Sequence, residues 1–293
     1  MNRRPPNPNR GQDTGDCHKP SLSMRVDVSG AITCLRFPLL EQVGGVRHAI
    51  TTRLGGLSNG PYASTNLGLS VGDDRDHVIA NRRLAAMLVG PKDAQPVTVR
   101  QVHGVGVALA TEPGQPGVHI ADADMLATRT PGVVLMVQTA DCLPLILIDP
   151  ARRAVAAMHS GWRGLAANAG REAVSSMQRL FGTQPRDLLI GVGPGIGACC
   201  YEVDNDVADA VSNTAGNSAN RFVRRSAAKP YIDLEGVMLH QLSAAGVLPD
   251  HVVAASLCTA CNLALLYSHR REGVPTGRFG ALVAISEMTT GNR

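Results

Sequence analysis

The stretch Val133-Val134-Leu135-Met136-Val137-Gln138-Thr139-Ala140-Asp141-Cys142-Leu143-Pro144-Leu145-Ile146-Leu147-Ile148-Asp149-Pro150-Ala151-Arg152-Arg153-Ala154-Val155-Ala156-Ala157-Met158-His159 reads as three successive strands. Residues 133–137, 145–148 and 154–158 are short apolar runs without helical period, the pattern of buried strands. Asp149-Pro150-Ala151-Arg152 supplies turn chemistry between the second and third. If those four residues form the hairpin loop, Ile148 pairs with Arg153, and counting back along the ladder sets Cys142 opposite His159. Directly opposed Cβ atoms lie about 4.5–5.5 Å apart on one face of a sheet. That spacing suits one ion bound at about 2.3 Å by sulfur and about 2.0–2.1 Å by nitrogen. A five-residue loop would instead turn the two side chains to opposite faces.

A third donor lies upstream. His103 closes Val97-Thr98-Val99-Arg100-Gln101-Val102, a segment that only the fold can bring near the other two. Taken singly, each of these residues has a packing or hydrogen-bonding explanation. Together, two imidazoles and one thiolate match catalytic zinc, which takes three protein donors and leaves a fourth position open, whereas structural zinc is closed by four.

The composition limits the alternatives. A chain of 293 residues that is 44% hydrophobic can bury a substantial core. Residues 1–23 are rich in Pro, Asn, Arg and Ser, so a disordered tail is expected over 1–24 and one continuous domain over 25–293. Residues 1–25 hold five bases (Arg3, Arg4, Arg10, Lys19, Arg25) against two acids (Asp13, Asp16) and so carry three of the four net positive charges. With aromatics at 3% and no basic stripe, nucleic-acid binding has little physical support. The tail lacks the apolar core of a secretory signal, and no apolar run approaches the ~18 residues of a membrane span, so a soluble cytoplasmic protein is expected. Seven cysteines without such a signal argue for reduced thiols.

Punctuation places the remaining elements. Asp73 and Asp74 can cap a helix running to about Leu88. A second helix begins after Gly164 and carries Leu165, Ala169, Ala173, Met177 and Leu180, a third spans 204–215, and a fourth, through Leu234, Val237, Met238 and Leu242, ends at Gly246. Residues 188–192, 252–257, 263–266 and 281–285 read as further strands. Gly161-Trp162-Arg163-Gly164 follows a strand and opens a helix, a place where backbone N–H groups and the helix dipole favour an anion, to which Arg163 could add a bidentate contact. Gly191-Val192-Gly193-Pro194-Gly195-Ile196-Gly197 matches neither the P-loop nor the dinucleotide fingerprint. Cys258-Thr259-Ala260-Cys261 has metal or redox spacing but no second pair at zinc-ribbon distance, so it reads as a packing pair. Cys199 and Cys200 are adjacent, and in a strand their side chains would diverge, so at most one should reach any site. His48, His77, His119, His240, His251 and His269 have no clustered partners in the sequence, and a surface or hydrogen-bonded role is expected for each.

Several of these segments together resemble one family. Thr51-Thr52-Arg53-Leu54-Gly55-Gly56-Leu57-Ser58, Asn66-Leu67-Gly68 with Val71-Gly72-Asp73, and Asn81-Arg82 look like the opening motifs of the YfiH-like family, also called the multicopper polyphenol oxidase or laccase-domain family. Gln101-Val102-His103-Gly104, Thr139-Ala140-Asp141-Cys142-Leu143-Pro144, His159-Ser160-Gly161-Trp162-Arg163-Gly164, Gly193-Pro194-Gly195-Ile196, Tyr201-Glu202-Val203, Cys258-Thr259, Ser268-His269-Arg270-Arg271 and Gly277-Arg278 continue the likeness in order. The resemblance covers roughly residues 32–286. It implies an α+β fold layered α/β/β/α around a central mixed β-sandwich, with zinc held by His103, Cys142 and His159. It also implies phosphorolysis of purine nucleosides, accompanied by adenosine deaminase and methylthioadenosine phosphorylase activities. Ser160 stands where Ala is common in the family, and His269 where an aromatic residue is usual.

The chemistry can be weighed on its own terms. Laccase-type oxidation needs an electron-transfer copper and a trinuclear copper cluster, typically bound through His-x-His pairs. This chain has nine histidines and no such pair, which disfavours that alternative, although copper remains a second choice of ion for a three-donor site. One Lewis-acidic zinc can activate water for attack on a purine ring, and the same pocket can orient phosphate toward the ribose anomeric carbon. A proton donor would assist departure of the base, and Asp141 and Glu202 are the candidates, with loop bracing the competing role for each. Arg53, Arg163, Arg278 and Asn66 are expected to contact phosphate or purine. Two rival readings are a cysteine hydrolase, with Cys142 activated by His159, and a non-catalytic partner protein braced by the metal.

Overall fold

The computed structural model describes residues 24–225 and 229–286; apart from Met24, the tail expected over 1–24 lies outside the described residues. In chain order the strands are β1 (Arg25–Asp27), β2 (Cys34–Arg36), β3 (Val46–Thr51), β4 (Thr98–Arg100), β5 (Val107–Leu109), β6 (His119–Asp122), β7 (Met125–Thr128), β8 (Val134–Thr139), β9 (Leu143–Asp149), β10 (Ala154–Ser160), β11 (Leu189–Val192), β12 (Val223–Arg224), β13 (Tyr231–Ile232), β14 (Val252–Ala254) and β15 (Phe279–Ile285). The helices are α1 (Pro38–Glu41), α2 (Arg75–Ala86), α3 (Trp162–Ala166), α4 (Ala169–Phe181), α5 (Asn205–Ala215), α6 (Ala219–Phe222), α7 (Leu234–Ala244) and α8 (His269–Glu272). Of the two larger sheets, the first runs β1-β2-β3-β15-β8 and the second β14-β11-β9-β10-β7-β5, and β4 with β6 and β12 with β13 form two-stranded sheets. The second is mixed, because β11 with β14 and β5 with β7 are parallel pairs.

The alternation of side chains across these strands builds the layers. From β9 and β10, Ile146, Ile148, Val155 and Ala157 pack against Leu135, Val137, Ala281 and Val283 of the other sheet, forming the middle of the sandwich. The intervening Leu145, Leu147, Ala154, Ala156 and Met158 face outward onto Ala173, Met177, Val237 and Leu242 of α4 and α7. On the far side, Val134, Met136, Leu282 and Ala284 receive Ala85 and Ala86 of α2. The order is therefore helix, sheet, sheet, helices: the single-domain α/β/β/α sandwich expected. Both faces of the central strands are covered, which explains why the sequence shows continuous apolar runs instead of a polar alternation. Each fully buried Leu or Ile stabilises this arrangement by about 1.5–3 kcal/mol.

The β9–β10 hairpin has a different register from the one expected. Asp149 pairs with Ala154 and Ile148 with Val155, so the loop is Pro150–Arg153 and His159 faces Pro144. The shift moves each partner by two positions. It therefore preserves the face while placing Cys142 diagonally from His159, just before the first residue of β9.

Three further segments depart from the sequence reading. The helix after Gly164 is two helices, broken at Asn168 with φ 61°. Buried Gln241 bridges the break, its Nε2 donating to Leu165 O at 2.8 Å and its Oε1 accepting from Gly170 N at 3.0 Å. Residues 263–266 form a turn, not a strand, with Leu265 N and Leu266 N both donating to Asn262 O at 3.0 Å. Residues 198–200 also form a turn, which frees Cys199 and Cys200 from strand geometry. The helix α2 starts as expected, Asp74 accepting from Asp76 N at 2.8 Å and His77 N at 3.1 Å.

Candidate metal centre

His103 lies on the loop after β4, Cys142 on the sharp turn between β8 and β9, and His159 near the end of β10. Their donor atoms all lie within 4.8 Å of one another, and the rings of His103 and His159 meet edge to face with centroids 5.0 Å apart. The backbone is bent on both sides: His103 has φ 61° and Asp141 φ 95°, left-handed values that non-glycine residues adopt at a cost. Gly161 makes room for the sulfur, since a Cβ there would sit 2.7 Å from Cys142 Sγ.

Asp124, between β6 and β7, organises the centre and was not foreseen from the sequence. It is fully buried; its Oδ1 accepts from His159 Nδ1 at 2.9 Å and His103 N at 3.0 Å, and its Oδ2 from Gly104 N at 2.6 Å and Val102 N at 3.2 Å. One carboxylate thus fixes the His159 ring, turning its Nε2 toward the sulfur, and shapes the loop that delivers His103. This carboxylate–histidine arrangement is typical behind metal-binding imidazoles. Two neutral-capable imidazoles, one thiol and a carboxylate brace fit a borderline-soft divalent ion.

Electrostatics tell the same story in the metal-free chain. Burial pushes the Cys142 thiol up, but charge on His159 and hydrogen bonds from His103 and His159 outweigh it and hold the thiol down at about 6. Burial likewise opposes charge on His159, yet Cys142 and Asp124 raise it to about 9. The sulfur is therefore held as the thiolate that metal ligation requires.

A cleft of about 540 Å³ opens over the three donors, within the range of small-ligand sites. A larger cavity of about 770 Å³ includes none of the three. Of the residues expected to touch substrate, Arg278 lines the cleft, its Nη1 anchored by the carbonyls of Thr276 and Gly277 at 3.0 and 2.9 Å. Asn66 is fully buried and acts through others: its Oδ1 accepts from Gly68 N and Arg278 N, at 2.9 and 2.8 Å. Arg53 stands outside the cleft lining. Its guanidinium is consumed by Ala63 O, Leu263 O and Glu272 at 2.9–3.1 Å and lies over the Tyr267 ring. Arg163 is exposed, stacked on Trp162, and also outside the lining.

The two carboxylates named as proton donors are placed as braces. Asp141 lines the cleft, but its Oδ1 accepts from Thr259 Oγ1 and Ser268 Oγ at 2.5 and 2.7 Å, and its Oδ2 from Arg270 N at 2.6 Å. Glu202 turns away, accepting from the Tyr231 hydroxyl at 2.9 Å, while its neighbour Tyr201 faces the cleft. His119, His269, Arg100 and Arg270 also line it. His119, whose Nδ1 meets Thr98 Oγ1 at 3.0 Å, and exposed His269 have the hydrogen-bonded and surface roles expected of them. That both also line the cleft left no local signal, because the neighbours are far apart in the chain.

An open seat of one thiolate and two imidazoles, in a cleft of a layered β-sandwich, defines a candidate mononuclear metal protein. The model of a family described as multi-copper polyphenol oxidoreductase laccase matches residues 47–286, and the chain belongs to that family. It is 36% identical over 272 residues to the purine nucleoside phosphorylase YlmD of Geobacillus stearothermophilus, covering 90% of this chain and 97% of that one. A purine nucleoside phosphorylase of Deinococcus radiodurans is 38% identical over 255 residues, with 87% and 95% covered. The crystal structure of YlmD from Geobacillus stearothermophilus superposes with a TM-score of 0.82 at 35% identity, covering 90% of this chain and 99% of that one. Among the described residues, no helix is long and apolar enough to cross a membrane.

Proposed function

We propose that this protein is a zinc-dependent purine nucleoside phosphorylase that also deaminates adenosine and cleaves methylthioadenosine, working in the cytoplasm on nucleosides and phosphate. The observation that carries the reading is the convergence of His103, Cys142 and His159 at the floor of a nucleoside-sized cleft. The names of the similar proteins support the substrate class. When bound, the ion would supply Lewis-acid charge at the cleft floor; zinc suits the mixed sulfur and nitrogen donors, and copper is the second choice.

The chain's own residues perform the rest. Arg278, anchored at the cleft wall, holds phosphate as a charge-assisted donor, with Arg270 adding positive charge at the rim. Attack of a phosphate oxygen on the anomeric carbon sends the electron pair of the glycosidic bond to the purine. Tyr201, whose hydroxyl is held up at about 12 by burial and the nearby Cys142 charge, keeps its proton and donates a hydrogen bond to the departing base. Asp141 keeps the Cys142 turn in place through the three donors it accepts from.

A second reading has its own support. Cys142, His159 and Asp124 form a thiolate, imidazolium and carboxylate series suited to a cysteine hydrolase. A nucleoside panel with and without phosphate, followed for free base, ribose 1-phosphate and ammonia, tests the first. Base release that requires phosphate and is lost in His103→Ala supports it, and unchanged turnover in that variant overturns it. Alkylation of Cys142 in metal-loaded protein, with loss of activity, would favour the hydrolase.

A further inference from the structure

Four more sulfurs meet on the other side of the Cys142 turn. Cys199 and Cys200 come from the turn that follows β11, and Cys258 and Cys261 from the short helical turn after β14. All four Sγ atoms lie within 4.8 Å of one another; Cys261 Sγ is 3.7 Å from Cys199 and 3.4 Å from Cys200. Four sulfurs around a tetrahedral ion at about 2.3 Å stand roughly 3.8 Å apart, whereas bonded sulfurs stand at about 2.05 Å. The separations seen match ligands sharing an ion.

The surroundings are built for such a seat. Gly197 N donates to Cys258 Sγ at 3.2 Å, the kind of backbone contact that supports a thiolate ligand. A side chain at Gly197 would press on the cluster, since its Cβ would meet Cys258 Cβ at 3.1 Å and Cys199 Sγ at 3.3 Å. Cys258 is buried and Cys199 exposed, so an ion can enter from solvent and end at the core. Four thiols with no imidazole or carboxylate in the group describe a closed structural centre, unlike the open seat in the cleft.

We infer that Cys199, Cys200, Cys258 and Cys261 bind a structural zinc ion, separate from the ion of the cleft. Its place in the fold gives it a task. It clamps the loop after β11 to the loop after β14, which already touch through Thr259 N donating to Gly195 O at 3.0 Å. Those same loops hold the Cys142 turn, through Ile196 N to Asp141 O at 2.7 Å and Thr259 Oγ1 to Asp141 Oδ1 at 2.5 Å. The ion therefore braces the rear of the cleft without touching anything bound inside it.

The test is metal content, which does not depend on turnover and so stands whether or not the phosphorylase reading holds. The full chain carrying His103→Ala and His159→Ala is expected to retain one zinc per chain, with X-ray absorption at the zinc edge showing four sulfur neighbours at about 2.3 Å. Cys199→Ser with Cys261→Ser is expected to lose one equivalent of zinc relative to the parent. If that pair fails to fold, the histidine variant decides alone. A histidine variant without zinc, with iron in its place, or with nitrogen or oxygen neighbours overturns the inference. So does a disulfide joining Cys261 to Cys199 or Cys200 in peptides mapped without reduction.

Discussion

Replacing Asp124 by asparagine exchanges one carboxylate oxygen for NH2, removes the charge and barely alters the shape, yet it is expected to loosen the whole metal seat. Each oxygen of this buried carboxylate serves two donors: Oδ1 takes His159 Nδ1 and His103 N, and Oδ2 takes Val102 N and Gly104 N. An amide offers one oxygen, so whichever way it turns, its NH2 confronts two N–H groups. Losing two hydrogen bonds to a charged acceptor, at about 1.5–3 kcal/mol each, predicts a destabilisation of about 3–6 kcal/mol in the metal-free protein. Loss of the carboxylate behind a ligating imidazole adds a fall of about 10–100-fold in metal affinity. Urea unfolding of stripped Asp124→Asn against the parent reads the first, and competition with a chelator reads the second. Parent-like values in both would refute the assignment of Asp124 as the brace of the centre.

Other perturbations have distinct signatures. Gly161→Ala is expected to displace Cys142 Sγ, which would lie 2.7 Å from the new methyl, and so to cut metal uptake, read by chelator competition, more than it cuts the unfolding free energy. Arg278→Ala should raise KM for phosphate and, by freeing the Thr276 and Gly277 carbonyls, also lower the unfolding midpoint, whereas Arg53→Ala should lower the unfolding midpoint and leave phosphate KM nearly unchanged, because Arg53 ties Glu272, Ala63 and Leu263 outside the cleft. Steady-state kinetics with varied phosphate separates the two. Buried His48 accepts from Phe37 N at 2.9 Å, and burial beside Arg36 holds it down at about 4. The unfolded chain, with histidine near 6.5, then binds the proton first, so stability falls as pH drops from 6.5 toward 4. Linkage gives a loss of about 2 kcal/mol between pH 7 and pH 5, which His48→Gln should reduce in urea titrations at the two pH values.

The buried strands were legible because residues 145–148 and 154–158 are apolar on both faces, as a strand covered from both sides must be. The α/β/β/α layering was implied by the family resemblance, and the apolar runs alone gave no more than a mixed α and β domain. Cys142 and His159 are not the directly opposed pair expected, yet their nearness survived the wrong register because the error was an even one, and side-chain parity is what the ladder preserves. Asp124 left no signal. It is one acid in Ala121-Asp122-Ala123-Asp124, and its importance arises from four donors that the fold gathers around it. Asn168 broke a helix that carries neither Gly nor Pro at the break, with Gln241, from a distant helix, satisfying both ends. Arg53 sits in a segment that marks the family, and its guanidinium bonds Ala63 O, Leu263 O and Glu272: sequence motifs record what a fold needs as readily as what a reaction needs.

Diffraction data collected on either side of the zinc absorption edge, from crystals of the purified protein, address the cleft directly. An anomalous peak about 2.3 Å from Cys142 Sγ and about 2.0–2.1 Å from one nitrogen each of His103 and His159 is the predicted result. A fully metal-loaded crystal in which those three donors carry no peak would contradict the metal centre on which the proposed chemistry stands.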